Sequence, residues 1–392
     1  MLTTVYLIRH AEAEGNVYRR CHGQYDSMLT PRAWEQLPYL AKRFEPVALD
    51  AIFSSDLYRA RMTAGAIAGA KGMEVRVRPV LREINMGEWE DCPWAELPLR
   101  EPEKYHAWQT EPWKCVVPGG ESVTDAGERM FGGIRQLVCE HAGQTIAVVT
   151  HGSAIRGALC IAQGLAPEQL GEIGWGDNTC VAKLEFDDAG NVRVVYMNDA
   201  SHLPAALSTF ASIGWTNSKG VPVSPQIWFK SVDLDNADER AALLSFARQK
   251  YESAYGSAAA LDETTYVEDT RAMLARCARA VTFGMLDGVP VALVRLNVCD
   301  DSHPDTGMVG SFVIGSEWRG CGLSQQLIGQ AISVYRELGK DYLCALVAEH
   351  NERAKAFYHK FAFTQEGEVT NALGRHLRMV KPIKVEPYCT DA

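Results

Sequence analysis

Val5-Tyr6-Leu7-Ile8-Arg9-His10-Ala11-Glu12 sets a short, β-rich apolar run directly before an arginine–histidine pair. In open α/β sheets ligands bind beyond the carboxyl ends of the strands, so residues in this position are placed for chemistry. Residues 145–150 repeat the arrangement, an apolar run that leads into His151 and Gly152. Either histidine alone reads equally well as a loop or capping residue. Two of them, each directly after a strand and before a small residue, point to one site.

Working outward, residues 1–203 alternate strand-like runs (5–8, 51–53, 74–80, 145–149, 181–186, 192–196) with helical patterns (36–44, 56–70, 134–141, 155–163). That alternation predicts a three-layer α/β domain with helices on both faces of a sheet. Periodicity fails over 204–226, where Gly214, Gly220, Pro222 and Pro225 mark a linker. Residues 227–392 begin again with a strand at 227–232, long helices at 237–255 and 265–278, and a hairpin signal at Asp287-Gly288. Strands at 308–314 and 342–347 and helices at 323–338 and 354–360 complete a second α/β domain.

The composition excludes several classes. A chain of 392 residues, 47% apolar and 22% charged, is globular and too long for one core. Residues 1–205 carry 20 basic and 27 acidic side chains and the remainder 19 and 22, so neither half has the global basic excess of a nucleic-acid binder. No apolar run is long enough to span a membrane, and the start lacks a signal peptide's basic region. Eleven scattered cysteines without a Cys-x-x-Cys pair read as reduced thiols, hence a cytoplasmic protein.

The motifs of the first half resemble the histidine phosphatase (phosphoglycerate mutase-like) superfamily. The resemblance rests on Leu7-Ile8-Arg9-His10-Ala11-Glu12, Asn16, Gly23-Gln24-Tyr25-Asp26-Ser27-Met28-Leu29-Thr30 and Ser54-Ser55-Asp56-Leu57-Tyr58-Arg59-Ala60. It continues through Leu81-Arg82-Glu83-Ile84-Asn85-Met86-Gly87-Glu88-Trp89-Glu90, Pro118-Gly119-Gly120-Glu121-Ser122 and Val148-Val149-Thr150-His151-Gly152. It implies His10 as a nucleophile forming a phosphohistidine, Glu83 as general acid and base, and a phosphate cage of Arg9, Asn16, Arg59, His151 and the Gly152 amide. Gly23 and Gln24 would touch the substrate. The residue types suit such chemistry, because a phosphomonoester dianion is gripped best by planar, permanently charged guanidinium forks. Covalent catalysis divides one difficult displacement into two easier ones. The arginines already supply positive charge, so no metal is expected. Alone, Arg59 reads as a surface charge, Glu83 as a solvated acid and Asn16 as a turn residue; their company with His10 and His151 changes the reading.

Phosphatases and mutases share this core. The mutases that resemble the glycolytic enzyme insert a longer segment between acid and second histidine. Here 68 residues separate Glu83 from His151, a phosphatase-like interval. Trp89, Trp94, Trp108 and Trp113 fall inside it and read as core and lid packing.

In the second half, Val313 leads into Arg319-Gly320-Cys321-Gly322-Leu323-Ser324, a Gly-rich turn that enters a helix. Such a turn suits an anion by itself only weakly. With Asn351-Glu352-Arg353-Ala354-Lys355-Ala356-Phe357-Tyr358-His359-Lys360-Phe361-Ala362-Phe363 it resembles the GNAT family of N-acetyltransferases. Ser324 and Ala362 stand where that family has smaller residues. The resemblance implies acetyl-CoA as co-substrate, its pyrophosphate on the amides of Arg319 to Ser324 and its arm along Val313 and Asn351. Tyr358 would protonate the departing thiolate; Glu349 or His350 is either a proton relay or a plain loop position.

The sequence thus predicts a bifunctional enzyme acting on a small phosphorylated metabolite and on an amine acceptor, without nucleic-acid or membrane partners. The alternatives are a phosphoglycerate-type mutase, or a phosphatase carrying a non-catalytic acyl-CoA-sensing domain.

Overall fold

The computed structural model describes residues 1–213 and 225–386. They form two compact units, each with its own sheet.

The first sheet runs β3 (Val75–Val77), β2 (Ala51–Ser54), β4 (Thr145–Thr150), β1 (Thr3–Arg9), β5 (Val181–Phe186), β6 (Val192–Asp199). Its centre is parallel: β1 pairs with β4 in a register that sets Arg9 against Thr150, and β2 flanks β4 in the same direction. Val5, Leu7, Ile8 and Ile146–Val149 are all sealed from solvent, as strands covered on both faces require. The helix Tyr58–Lys71 covers one face and ends at Gly72, whose φ of 64° is the left-handed cap that glycine adopts without strain.

The helices Val123–Glu140 and Gly152–Ala162 lie against each other through Gly127 and Gly157. A Cβ on Gly157 would come within 2.6 Å of the Val123 carbonyl oxygen, so this close approach needs glycine. The contact seats the helix that starts directly after His151. The sequence places the first of these helices only from residue 134. It starts eleven residues earlier, where Ser122 and Asp125 form a reciprocal cap (Ser122 N–H to Asp125 Oδ2 2.9 Å, Asp125 N–H to Ser122 Oγ 3.1 Å). The strand expected over 74–80 stops at Val77, and Pro79 opens a 3-10 turn. The interval read as a linker opens with helical turns at Ala205–Leu207 and Thr209–Ile213; Gln36 donates from Nε2 to the Leu207 carbonyl at 2.9 Å. Gly214, Gly220 and Pro222 lie outside the described residues.

The second sheet runs β12 (Thr364–Asn371), β13 (Gly374–Pro382), β11 (Tyr342–Ala348), β10 (Thr306–Ile314), β9 (Val289–Leu296), β8 (Val281–Leu286), β7 (Trp228–Ser231). Its one parallel pair, β10 with β11, is in register only from Thr306↔Tyr342 to Val309↔Ala345, although both strands run on. The sequence did not predict β12 and β13. Every residue of β12 is exposed, so no apolar alternation announces it.

Ala362 takes φ 61°, the left-handed region, at the turn after the helix Glu352–Lys360. That conformation costs an L-residue about 1–2 kcal/mol, partly offset by the greater unfolded-state freedom of glycine, about 0.5–1 kcal/mol. Ala362→Gly is therefore expected to stabilise the second unit by roughly 0.5–1 kcal/mol. Denaturant unfolding of the full chain checks this, and an unchanged or earlier transition of that unit would refute it.

Among the described residues no helix is long and apolar enough to cross a membrane, and no three His, Cys, Asp or Glu side chains group as metal ligands.

Candidate active sites

The parallel strands β1, β4 and β2 deliver His10, His151 and Ser55 to one end of the first sheet. The His10 amide donates to the Thr150 carbonyl (2.9 Å) and the Ser55 amide to the Val149 carbonyl (3.1 Å). The two histidine rings lie 5.2 Å apart, centroid to centroid. His10 is 3% exposed and His151 is fully buried. His10 Nδ1 lies 2.7 Å from the Ala11 carbonyl oxygen. A carbonyl only accepts, so Nδ1 carries the proton and Nε2 keeps the lone pair a nucleophile needs. His151 Nε2 meets Ser55 Oγ at 2.9 Å.

Two arginines frame the pair. Arg59 is sealed from solvent and donates to the carbonyls of Tyr25 (3.0 Å) and Gly23 (2.6 Å). Arg9 donates from Nη1 to the Gly176 carbonyl at 2.5 Å. A Cβ on Gly152 would stand 3.4 Å from Arg9 Nε, so Gly152 lies directly against this guanidinium. Arg9 Nε, Arg59 Nε and His151 Nδ1 are buried and have no hydrogen-bond partner among the described residues. Buried donors without acceptors are costly, and a bound oxyanion would satisfy both arginine Nε groups, joined by His151 Nδ1 in the tautomer that protonates it.

Glu83 joins through its own carboxylate. Oε1 accepts from the amides of Ile84 (2.9 Å) and Ala154 (2.8 Å), and Oε2 from Ser153 (3.0 Å). The carboxyl group thus sits on the first turn of the helix that follows His151, held by the amides of that turn. Gln24 donates from Nε2 to the Glu83 carbonyl at 3.1 Å, and the Gly23 and Gln24 amides bind the carboxylate of Glu90. Asn16, 8% exposed, turns Oδ1 inward to accept from the Ala13 amide (2.9 Å).

Several members of this cluster escaped the sequence reading. Asn178, fully buried, donates from Nδ2 to the His10 carbonyl at 2.8 Å, and its Oδ1 has no hydrogen-bond partner among the described residues. The His22 ring lies 6.1 Å from that of His10. Glu90 accepts from four amides, those of Gly23, Gln24, Tyr25 and Met86. Only Glu90 lies in a segment the motifs already cover. Trp89 is fully buried beside Tyr105 and Trp108, as packing predicts.

Burial, then Arg59, holds both histidines well below the ordinary histidine value; Arg9 adds to this at His10 and His10 itself at His151. Both rings are therefore neutral near pH 7. The unfolded chain regains a value of about 6.5, so below that pH it takes up protons that the native site refuses. The stability this contributes is complete above about pH 6.5 and is lost as pH falls toward the native values. The slope approaches about 1.4 kcal/mol per pH unit for each histidine, about 3 for the pair. Denaturant titrations at pH 7.5, 6 and 5 should show the first unit weakening steeply; a His10→Ala variant with the same slope would contradict the assignment.

In the second unit, Gly320 (φ 84°) and Gly322 (φ 79°) bend the chain through left-handed turns into the helix Ser324–Glu337, whose cap position, Leu323, offers no side chain to its amides. Arg319 Nε donates to the Ile314 carbonyl at 3.2 Å, and Cys321 is exposed. Val313, 5% exposed, lies on the stretch of β10 that continues past its pairing with β11. An open strand edge followed by a glycine turn at a helix start fits a pantetheine pyrophosphate. Asn351 caps the helix Glu352–Lys360, accepting from the Ala354 amide at 3.1 Å. Tyr358 is 8% exposed among Phe312, Phe357 and Phe363, and burial raises its pKa strongly, so it keeps its proton. Glu349 pairs with Arg375 (3.0 Å) and His350 with the Ala254 carbonyl (2.8 Å), so both candidate relays have other partners.

Residues 5–200 match the histidine phosphatase superfamily (branch 1) and residues 244–363 the acetyltransferase (GNAT) family. Phosphoserine phosphatase 1 of Hydrogenobacter thermophilus is 32% identical over 202 residues, which cover 52% of this chain and 95% of that protein. The "Probable phosphoglycerate mutase GpmB" of Yersinia pestis is 36% identical over 161 residues, 41% of this chain and 75% of the relative. Among solved structures, Bacillus stearothermophilus YhfR is 31% identical with a TM-score of 0.49, over 51% of this chain and 98% of that one.

Proposed function

Since the chain belongs to the histidine phosphatase superfamily (branch 1) and carries a GNAT acetyltransferase domain, we propose that its first unit hydrolyses a small phosphomonoester and its second transfers an acetyl group from acetyl-CoA to an amine. The observation that carries the first half is the set of buried, unpartnered donors around a neutral histidine with its Nε2 lone pair free.

His10 Nε2 attacks phosphorus; the N–P bond forms as the ester P–O bond breaks, and Glu83 gives the leaving alkoxide a proton. Water then attacks phosphohistidine, Glu83 takes its proton, and the N–P bond breaks to release phosphate. Arg9, Arg59, His151, Asn16 and the Gly152 amide hold the phosphoryl oxygens throughout, because this transfer is mostly positioning and charge stabilisation. Gly23 and Gln24 line the substrate side. The name of the Hydrogenobacter relative makes phosphoserine the first substrate to offer.

In the second unit the bound cofactor supplies an activated thioester. Amides of Arg319, Gly320, Cys321, Gly322, Leu323 and Ser324 hold its pyrophosphate, Val313 and Asn351 guide its arm, and Tyr358 donates the proton the thiolate needs.

A panel of phosphomonoesters, with phosphate release and isomerisation measured side by side, tests the first activity. The Yersinia relative's name gives a mutase as the second reading. Isomerised phosphoglycerate with little free phosphate would install it and overturn hydrolysis. Calorimetry with acetyl-CoA tests the second unit; binding without transfer to any amine would make it a sensing domain.

A further inference from the structure

Outside both candidate sites, two cations meet at an irregularity in β10. The pairing of β10 with β9 shifts between Val309 and Ser311, and Gly310 occupies the irregular position. Lys250, from the helix Ala237–Tyr255, donates from Nζ to the Gly310 carbonyl at 3.0 Å. Arg295, on β9, presses on the same residue: a Cβ on Gly310 would stand 3.4 Å from Arg295 Nη1.

Arg295 is 8% exposed, and its guanidinium lies on the Tyr266 ring at 4.4 Å. Its Nε donates to Thr270 Oγ1 at 3.3 Å, while Nη2 is buried without a hydrogen-bond partner among the described residues. The carboxylate paired with it, Asp269, is 3.9 Å away and 60% exposed. Lys250 has no carboxylate partner among the described residues; Tyr251 lies beside its ammonium at 5.5 Å. The Tyr266 hydroxyl is also buried, beside the Ser311 side chain and with no other polar partner among the described residues. Burial, and then Arg295, brings the Lys250 pKa down to about 8, so the ammonium is still charged at pH 7.

Two adjacent, poorly compensated cations are expensive to bury. An anion offering several acceptor lone pairs would answer Nη2 and Nζ together, over the ring of Tyr266. We propose that Lys250, Arg295 and Tyr266 form a subsite for a carboxylate or phosphate carried by the amine acceptor of the second unit. This rests on the acetyl-transfer reading. Position along β10 assigns the anion to the acceptor rather than to the cofactor. Gly310 lies about 13 Å of strand before Ile314, where β10 ends ahead of the Gly-rich turn, yet only about 7 Å along the strand from Phe312, which packs on Tyr358.

The test labels lysines of the full chain with isotopic acetic anhydride and reads Lys250 by peptide mass spectrometry. Acetate and succinate probe a carboxylate, inorganic phosphate and methylphosphonate a phosphate, with acetamide and matched chloride as controls. Lys250 labelling should fall about tenfold with one class at ten times its dissociation constant and stay unchanged in acetamide. The protecting class identifies the anion. Arg295→Gln should leave Lys250 labelled but unprotected; wild-type protection stands as the test if that variant does not fold. Equal labelling with every anion, in a protein that binds acetyl-CoA by calorimetry, overturns the subsite and spares the acetyl-transfer reading. Absent acetyl-CoA binding overturns that reading, and with it the assignment of the anion to an acceptor.

Discussion

His10→Ala is expected to abolish phosphate release, lowering kcat by at least about 10³-fold on every substrate the wild type accepts. The site offers no second nucleophile in the same setting, because His151 already spends Nε2 on Ser55. The variant should fold, and its acid stability should improve, since a buried neutral histidine is removed. Rapid quench with labelled substrate should trap an acid-labile phosphoenzyme in the wild type and none in the variant. Residual turnover near the wild-type level would end the phosphohistidine reading.

Glu83→Gln is expected to lower kcat by about 10²–10⁴-fold on an alkyl phosphate. Glutamine retains the shape but cannot give or take the proton. It also turns an amide nitrogen toward backbone N–H groups that now find carboxylate oxygens, three of them at 2.8–3.0 Å. That mismatch adds a stability loss of about 1–3 kcal/mol, so melting must be measured beside kinetics. The two effects separate with an aryl phosphate, whose leaving group departs without a proton. If acid catalysis is the function, the phosphorylation step on that substrate should be nearly normal. Equal losses in the phosphorylation step on alkyl and aryl esters would reduce Glu83 to a positioning residue.

Much of the fold was legible because period and punctuation agreed. The helix Ala237–Tyr255 was read to the residue, and the hairpin signalled by Asp287-Gly288 is the turn between β8 and β9. The first half of Val123–Glu140 was not, since its glycines dilute the apolar stripe and its start depends on one cap. Polar, exposed β12 gave no signal at all. At the site, Arg9, His10, Arg59, Glu83 and His151 were legible from their place after strands or within recognisable segments, and the structure brings them together. Asn178 was not: it precedes β5 in a loop of ordinary turn residues, and its bond to His10 depends on β1 and β5 being neighbours.

The pairing of β1 with β4 has a consequence for durability. The two histidine rings stand 5.2 Å apart, close to the spacing of neighbouring strands, because each follows one strand of an in-register parallel pair. The separation of the two rings is thus a property of the backbone ladder rather than of any loop. Fraying at the surface leaves it intact, and only parting the two central strands undoes it. Loss of this spacing and parting of the central strands are then a single event.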